Sequence, residues 1–128
     1  RRMNDMTRLL GAGLIWFGIF IGASALAAPM QATTPESVEA GAATYARHCA
    51  MCHGVTGRGD GQLAAATAAY GSRPSNLTDT TWQHGSSDGE LFVTIRDGIG
   101  PNFAMDAFLA RLTEPDIWNL VNYLRTLQ

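Results

Sequence analysis

The chain has 128 residues, 46% of them hydrophobic, with nine basic residues, all arginine, and a formal net charge of −2. That length holds one domain and little else. Residues 28–128 carry six arginines against ten acidic residues, a net charge near −4, which excludes nucleic acid as a partner because a phosphate backbone demands a basic face.

No residue from Leu9 to Ala27 is charged, and Arg1, Arg2 and Arg8 precede that block. It ends in the small-x-small run Ala25-Leu26-Ala27. A basic start, an apolar middle and a small-residue exit describe a secretory signal peptide over residues 1–27. Nineteen uncharged residues at about 1.5 Å each also approach the roughly 30 Å of a hydrocarbon core. If retained, the same block is a single membrane anchor. On either reading the remainder is exported, with residues 28–34 as a linker and 35–128 as the folded domain. About a hundred residues is a marginal size for a purely apolar core, and a bound prosthetic group would supply much of the missing interior.

Thr34-Pro35 predicts an N-cap followed by proline in the first helical turn. Val38, Gly41, Ala42, Tyr45 and Cys49 recur at helical spacing, so the first helix runs to about His48 and delivers Cys49 at its end. Gly54, Gly57, Gly59 and Gly61 interrupt regular structure, and an Ala-rich turn of helix is expected within residues 62–70. Arg73 to Gln83 reads as a loop stiffened by Pro74. Ser87 and Glu90 form a capping box that opens a helix through Leu91, Phe92 and Ile95, closed by Gly98. A second loop follows to Ala110. Thr113 and Asp116 cap the last helix, whose buried stripe is Ile117, Leu120, Val121, Leu124 and Leu127. No segment alternates with period two, and the fold class expected is all-α with three to four main helices.

Both cysteines lie in Cys49-Ala50-Met51-Cys52-His53. This C-x-x-C-H run is the attachment signature of a c-type haem. Two intervening residues let both sulfurs reach one edge of a porphyrin, and the next residue, His53, then lies beneath the iron. A dithiol redox motif normally accompanies a βαβ pattern. A zinc site needs a second ligand pair, and a disulfide between cysteines three apart cross-links almost nothing. The cofactor expected is therefore one covalently attached haem c.

An electron-carrying haem iron usually has two protein ligands. Met105, in the glycine- and proline-bearing segment Gly98–Met105, is the expected second ligand. Met51 sits inside the attachment run and cannot reach the other haem face. His84, in a loop, would instead give a bis-histidine site. The first ligand needs a carbonyl to receive its other N–H, for which the stretch Ser72-Arg73-Pro74 offers backbone. Arg73 and Trp82 are candidates to approach a propionate.

From about Val38 to Leu127 the chain resembles a class I cytochrome c, and more narrowly the small bacterial periplasmic monohaem members. The residues that carry the resemblance are Gly41 and Tyr45, Cys49 to Gly54, Gly57-Arg58-Gly59-Asp60-Gly61 and Asn76-Leu77-Thr78. Ser87 to Phe92, Ile95-Arg96-Asp97-Gly98 and Asp116 to Arg125 complete it. The resemblance implies that the first and last helices cross at Gly41 and Tyr123. It also implies that the Pro74 carbonyl receives the His53 ring proton, and that His53 and Met105 are the metal ligands. Many relatives have proline directly after the ligand methionine, where this chain has Asp106. A carboxylate there stabilises the oxidised state, so the expected potential is lower than in a proline-bearing relative.

Gly59-x-Gly61-x-x-Ala64 matches a dinucleotide fingerprint with no preceding strand, Arg58-Gly59-Asp60 matches an adhesion tripeptide, and Asn76-Leu77-Thr78 is a glycosylation sequon. None carries an argument here. No nucleophile-base pair is apparent, so the expected role is single-electron transfer between periplasmic redox proteins, a donor dehydrogenase and an acceptor oxidase or cytochrome. The acidic surface implies a basic docking patch on those partners. Two other readings remain: a gas sensor or weak peroxidase with an open sixth position, and a dedicated haem subunit of a membrane oxidoreductase. Contact with a membrane is expected only through a retained residue 9–27 anchor.

Overall fold

The computed structural model describes residues 31–69, 71–100 and 104–128. The apolar block of residues 9–27 and most of the linker lie outside the described residues. Among the described residues five helices follow in order: α1 Pro35–His48, α2 Ala50–His53, α3 Ala64–Ala69, α4 Asp88–Asp97 and α5 Glu114–Arg125. Among the described residues there is no strand, only one isolated bridge between Ile99 and Met105. No described helix is long and apolar enough to cross a membrane.

The helix ends form where the local chemistry satisfies free amides. Thr34 Oγ1 accepts from the Ser37 amide at 3.2 Å, with Pro35 in the first turn, where a missing N–H costs nothing. Ser87 and Glu90 cap α4 reciprocally, and Thr113 and Asp116 do the same for α5. At the other end of α4, Gly98 takes a φ of 74°, which a side chain would resist. The carbonyls of Ile95 and Arg96 would otherwise lack partners. They accept instead from the Phe108 and Leu109 amides, each at 3.1 Å, which lays the loop after α4 back along that helix.

α1 crosses α5 at Gly41. A Cβ on Gly41 would strike the Asn119 carbonyl and lie 2.8 Å from the Tyr123 Cβ, so the two backbones approach as only glycine allows. The Tyr45 and Tyr123 rings meet beside the crossing at 5.2 Å. The buried face of α1 is Ser37, Gly41, Thr44 and Tyr45, more polar than the expected Val38-Ala42 face. The reason is Asn122, which is buried on α5 and donates to Ser37 Oγ at 2.6 Å while accepting from Thr33 Oγ1 at 3.0 Å. Burying an amide without partners would be costly.

α4 packs on the other side of α5, with Phe92 stacked on Trp118 at 4.5 Å. Arg125 pairs with Asp88 across the same junction at 2.7 Å. The core joins Leu91, Phe92 and Ile95 of α4 to Ile117, Leu120, Val121 and Leu124 of α5, with Tyr45, Leu77, Phe108 and Leu112 around them. Leu127 lies beyond the end of α5 and packs against this cluster partly buried.

Three variants test this account. Gly41→Ala is expected to cost about 1–3 kcal/mol by overpacking in urea denaturation. Gly89→Ala, where a Cβ meets nothing within 4 Å, should stabilise by up to about 1 kcal/mol. Capping hydrogen bonds hold the Glu90 and Asp116 carboxyls below their ordinary range. Their contribution is therefore complete above the unfolded values near about 4 and is lost as pH falls through the depressed folded values. The stability gap between the native chain and a Glu90→Ala/Asp116→Ala variant should be open at neutral pH and narrow steadily below about pH 4.

Candidate functional site

α1 ends at Cys49, whose amide donates to the Tyr45 carbonyl at 2.8 Å. α2 begins at the next residue and makes a single turn, with the Cys52 and His53 amides both reaching the Cys49 carbonyl. One turn of helix brings residues three apart to the same face. Cys49, Cys52 and His53 accordingly line one cavity, and Pro74 and Met105 line it as well. A neighbouring cavity shares Cys49, His53 and Met105 and is otherwise largely apolar, with Leu77, Trp82 and Ile95 among its walls. Cys49, Cys52, His53, Pro74 and Met105 therefore meet at one place.

The two thiols are free. Burial, with the neighbouring Cys52 thiol adding to it, pushes the Cys49 thiol up to about 12. Among the described residues no cluster of three or more His, Cys, Asp or Glu side chains could hold a metal ion.

His53 Nδ1–H donates to the Ser75 carbonyl at 3.1 Å. Desolvation lowers the His53 pKa, and the Ser75 hydrogen bond opposes that shift. A neutral ring with Nδ1 protonated leaves Nε2 as the nitrogen available to a metal. The acceptor is thus one residue beyond Pro74, the acceptor that the family resemblance implies. The Pro74 carbonyl instead abuts Gly59, where a Cβ would collide with it. Gly59 has a φ of 74°, and its amide donates to the His53 carbonyl at 2.7 Å. The Leu77 amide bonds to the Gly57 carbonyl at 2.6 Å. These contacts between the two loops set a register in which Ser75 faces the imidazole.

Met105 is held at the neck of its loop. Its carbonyl accepts from the Ile99 amide at 2.9 Å, and the chain from Met105 to Ala107 presses on the bare Cα of Gly98. Of the two other ligand candidates, Met51 is 48% exposed and lines a different groove, with Val55 and Gln62. His84 lines both cavities. Arg73 and Trp82 reach one cavity each.

Three contacts escaped sequence reasoning. Tyr45 Oη donates to the Gly54 carbonyl at 2.7 Å, buried, which pins the residue after His53. Arg111 pairs with Asp106 at 3.0 Å, so the carboxylate beside Met105 has a counter-charge. Phe108 lines the first cavity with its ring edge to His48 at 6.1 Å. Only Tyr45 left a signal, as an aromatic one turn before the attachment run.

Removing the Tyr45 hydroxyl would take one of two donors from the buried Gly54 carbonyl, leaving the Gly57 amide at 3.2 Å. Tyr45→Phe is expected to cost about 0.5–1.5 kcal/mol in thermal or urea unfolding, with the secondary structure unchanged by circular dichroism.

The residues present fit a haem: two thiols one turn apart, an imidazole oriented by a carbonyl, a thioether from a separate segment and apolar walls. Comparison with known proteins agrees. The Cytochrome c family model matches residues 38–128. Residues of this chain are 34% identical over 87 positions to the Cbb3-type cytochrome c oxidase subunit FixP of Azorhizobium caulinodans, covering 68% of this chain and 26% of that protein. The subunit CcoP of Cereibacter sphaeroides is 34% identical over 90 positions, with the same two coverages. The chain thus spans about a quarter of the length of these curated relatives. Among solved structures, a Kuenenia stuttgartiensis reducing HAO-like protein complex superposes with a TM-score of 0.67 at 27% identity, over 76% of this chain and 46% of that one. The KustC0563 c-type cytochrome gives 0.55 at 30% identity, over 69% and 96%. The agreement runs from α1 to the last residue, and the chain accordingly belongs to the cytochrome c family, whose cofactor is covalently attached haem c.

Proposed function

We propose that this chain carries single electrons between redox protein partners outside the cytoplasm, with His53 and Met105 as the axial ligands of one haem c. The haem, when bound, supplies reversible one-electron iron chemistry. Everything else falls to the chain. Cys49 and Cys52 tether the group through thioethers, so it is not lost to dilution. His53 offers Nε2 because burial keeps the ring neutral and Ser75 holds the other nitrogen. Met105 offers a soft thioether, the ligand that raises a haem potential. The apolar walls of the inner cavity exclude water.

The observation that carries the reading is that Met105 meets the attachment residues in one cavity while its backbone is bonded to Ile99. A donor held in that way closes the sixth position, which suits transfer rather than gas binding or peroxidase chemistry. The relatives favour a second reading, a haem subunit of a larger membrane oxidoreductase, because two of them are oxidase subunits by name. Export, with residues 1–27 as signal or anchor, suits either role, and on both the chain is an electron-transfer protein and not itself an enzyme. The Asp106 carboxylate lowers the potential less than a bare charge would, since Arg111 partly offsets it.

The test is optical spectroscopy of the haem-loaded protein. The oxidised form should show the weak far-red absorption of a sulfur-to-iron charge transfer, absent in Met105→Ala and kept in His84→Ala, and the reduced form should resist carbon monoxide. Immediate carbon monoxide binding by the native protein would mean a sensor or peroxidase. Absence of the far-red band from the native protein, without carbon monoxide binding, would make His84 the ligand. Arg111→Gln is expected to lower the reduction potential and Asp106→Asn to raise it.

A further inference from the structure

Thr81, Trp82, Gln83, His84 and Gly85 are consecutive, and all five line the apolar cavity that also holds Cys49, His53 and Met105. They form one wall of the cofactor site. The loops that carry Ser75 and Met105 are tied by backbone hydrogen bonds. This wall is different. Among the described residues, no backbone-to-backbone hydrogen bond involves residues 78–86, and they belong to no helix or bridge. A segment of that kind opens easily unless side chains hold it.

The side-chain contacts converge on Arg125, in the last turn of α5. Its Nε donates to Asp88 Oδ1 at 2.7 Å, and Nη2 donates to the Ser86 carbonyl. The guanidinium lies over the Trp82 ring, 5.5 Å from the centroid. Nη1 donates to Gln128 Oε1 at 3.2 Å, and Gln128 donates in turn to the Asp79 carbonyl at 3.3 Å. One side chain thereby reaches the beginning, middle and end of the wall. A planar fork can meet several acceptors and a ring together, which a lysine ammonium cannot. Arg125 lines neither cavity, whereas its neighbour Leu124 lines the apolar one. The guanidinium therefore acts from behind the wall. Elsewhere the segment has only a 3.4 Å bond from Thr94 Oγ1 to the His84 carbonyl and two local bonds to the Asp79 and Glu90 carboxylates.

We infer that Arg125 is a positioning residue for the haem: it holds residues 79–86, Trp82 above all, against the cofactor and so sets the reduction potential. This inference rests on the electron-carrier reading. Ferric haem carries one more positive charge than ferrous haem, so water admitted beside it favours the oxidised state. A closed wall raises the potential and a released wall lowers it. Arg125 also bears a charge of its own, whose loss would lower the potential without any movement of the wall, and the test has to separate the two.

Two substitutions do so on the haem-loaded protein. Arg125→Lys keeps the charge and loses the fork. It should lower the potential as Arg125→Gln does, raising the oxidised-to-reduced ratio at the native midpoint by about threefold or more. Amide hydrogen exchange of residues 79–86 should be slow in the native protein and faster in both variants, with the far-red band retained. A native potential in Arg125→Lys, with a lowered one in Arg125→Gln alone, would make Arg125 a remote charge and overturn the inference. Fast exchange of residues 79–86 in the native protein would overturn it without any variant. Should the Arg125 variants fail to fold, Asp88→Ala gives an independent sign. Removing a negative charge raises a potential by Coulomb's law, whereas freeing the Arg125 Nε loosens the wall and lowers it. A lowered potential there supports the positioning role, and a raised or unchanged one overturns it. Immediate carbon monoxide binding by the native ferrous protein would overturn the carrier reading instead, whatever the variants show.

Discussion

The bare Cα of Gly41 is the constraint on which the other positions depend. Because nothing projects from it, α1 rests on the backbone of α5 at Asn119 and Tyr123. A helix fixed at one point and one angle has a fixed end, and the end of α1 is Cys49. Tyr45, one turn before, lies against Tyr123 and bonds the carbonyl of Gly54. The attachment turn is thus clamped on both sides by groups that refer back to the crossing. Any widening there would move both thiols and the imidazole together, away from walls anchored on α4 and α5.

The rest of the cavity is made from loops, and their rigidity comes from backbone hydrogen bonds. The proximal wall is two loops joined at Gly57–Leu77 and pressed together at Gly59–Pro74. The distal wall is the loop after α4, held along that helix by bonds to Ile95 and Arg96 and pinched at Ile99–Met105. Loops can present carbonyls, imidazoles and thioethers inward in directions that a helix face does not allow. Here each loop is fixed beside Met105 or beside Ser75, the residue that accepts from His53.

The legible parts of the sequence were the local ones. Both capping boxes, the proline start of α1, the stop at Gly98 and the one-turn attachment run depend on residues within four positions of each other. The helices Pro35–His48 and Asp88–Asp97 accordingly lie where caps and periodicity put them. The resemblance to the family supplied Gly41 against Tyr123, a contact across more than eighty residues that periodicity does not reveal. What stayed hidden was set by pairing between distant segments. Ser75 in place of Pro74 follows from the loop-to-loop register, which has no signature along the chain. The buried Ser37 and Thr44 face looks like a polar interruption until Asn122 is placed opposite Ser37. The Arg111–Asp106 pair spans only five residues but needs the turn at Phe108 to form.

The pinch between Ile99 and Met105 bears on how freely the loop between them can vary. A loop closed at its neck separates the position of its base from the length and composition of its tip, since extending a closed loop costs little. The backbone of Met105 is set by Gly98 and Ile99, on the α4 side of that neck. Under the proposed ligation, the chain between Ile99 and Met105 could therefore change in length or composition while the backbone that carries Met105 keeps its place.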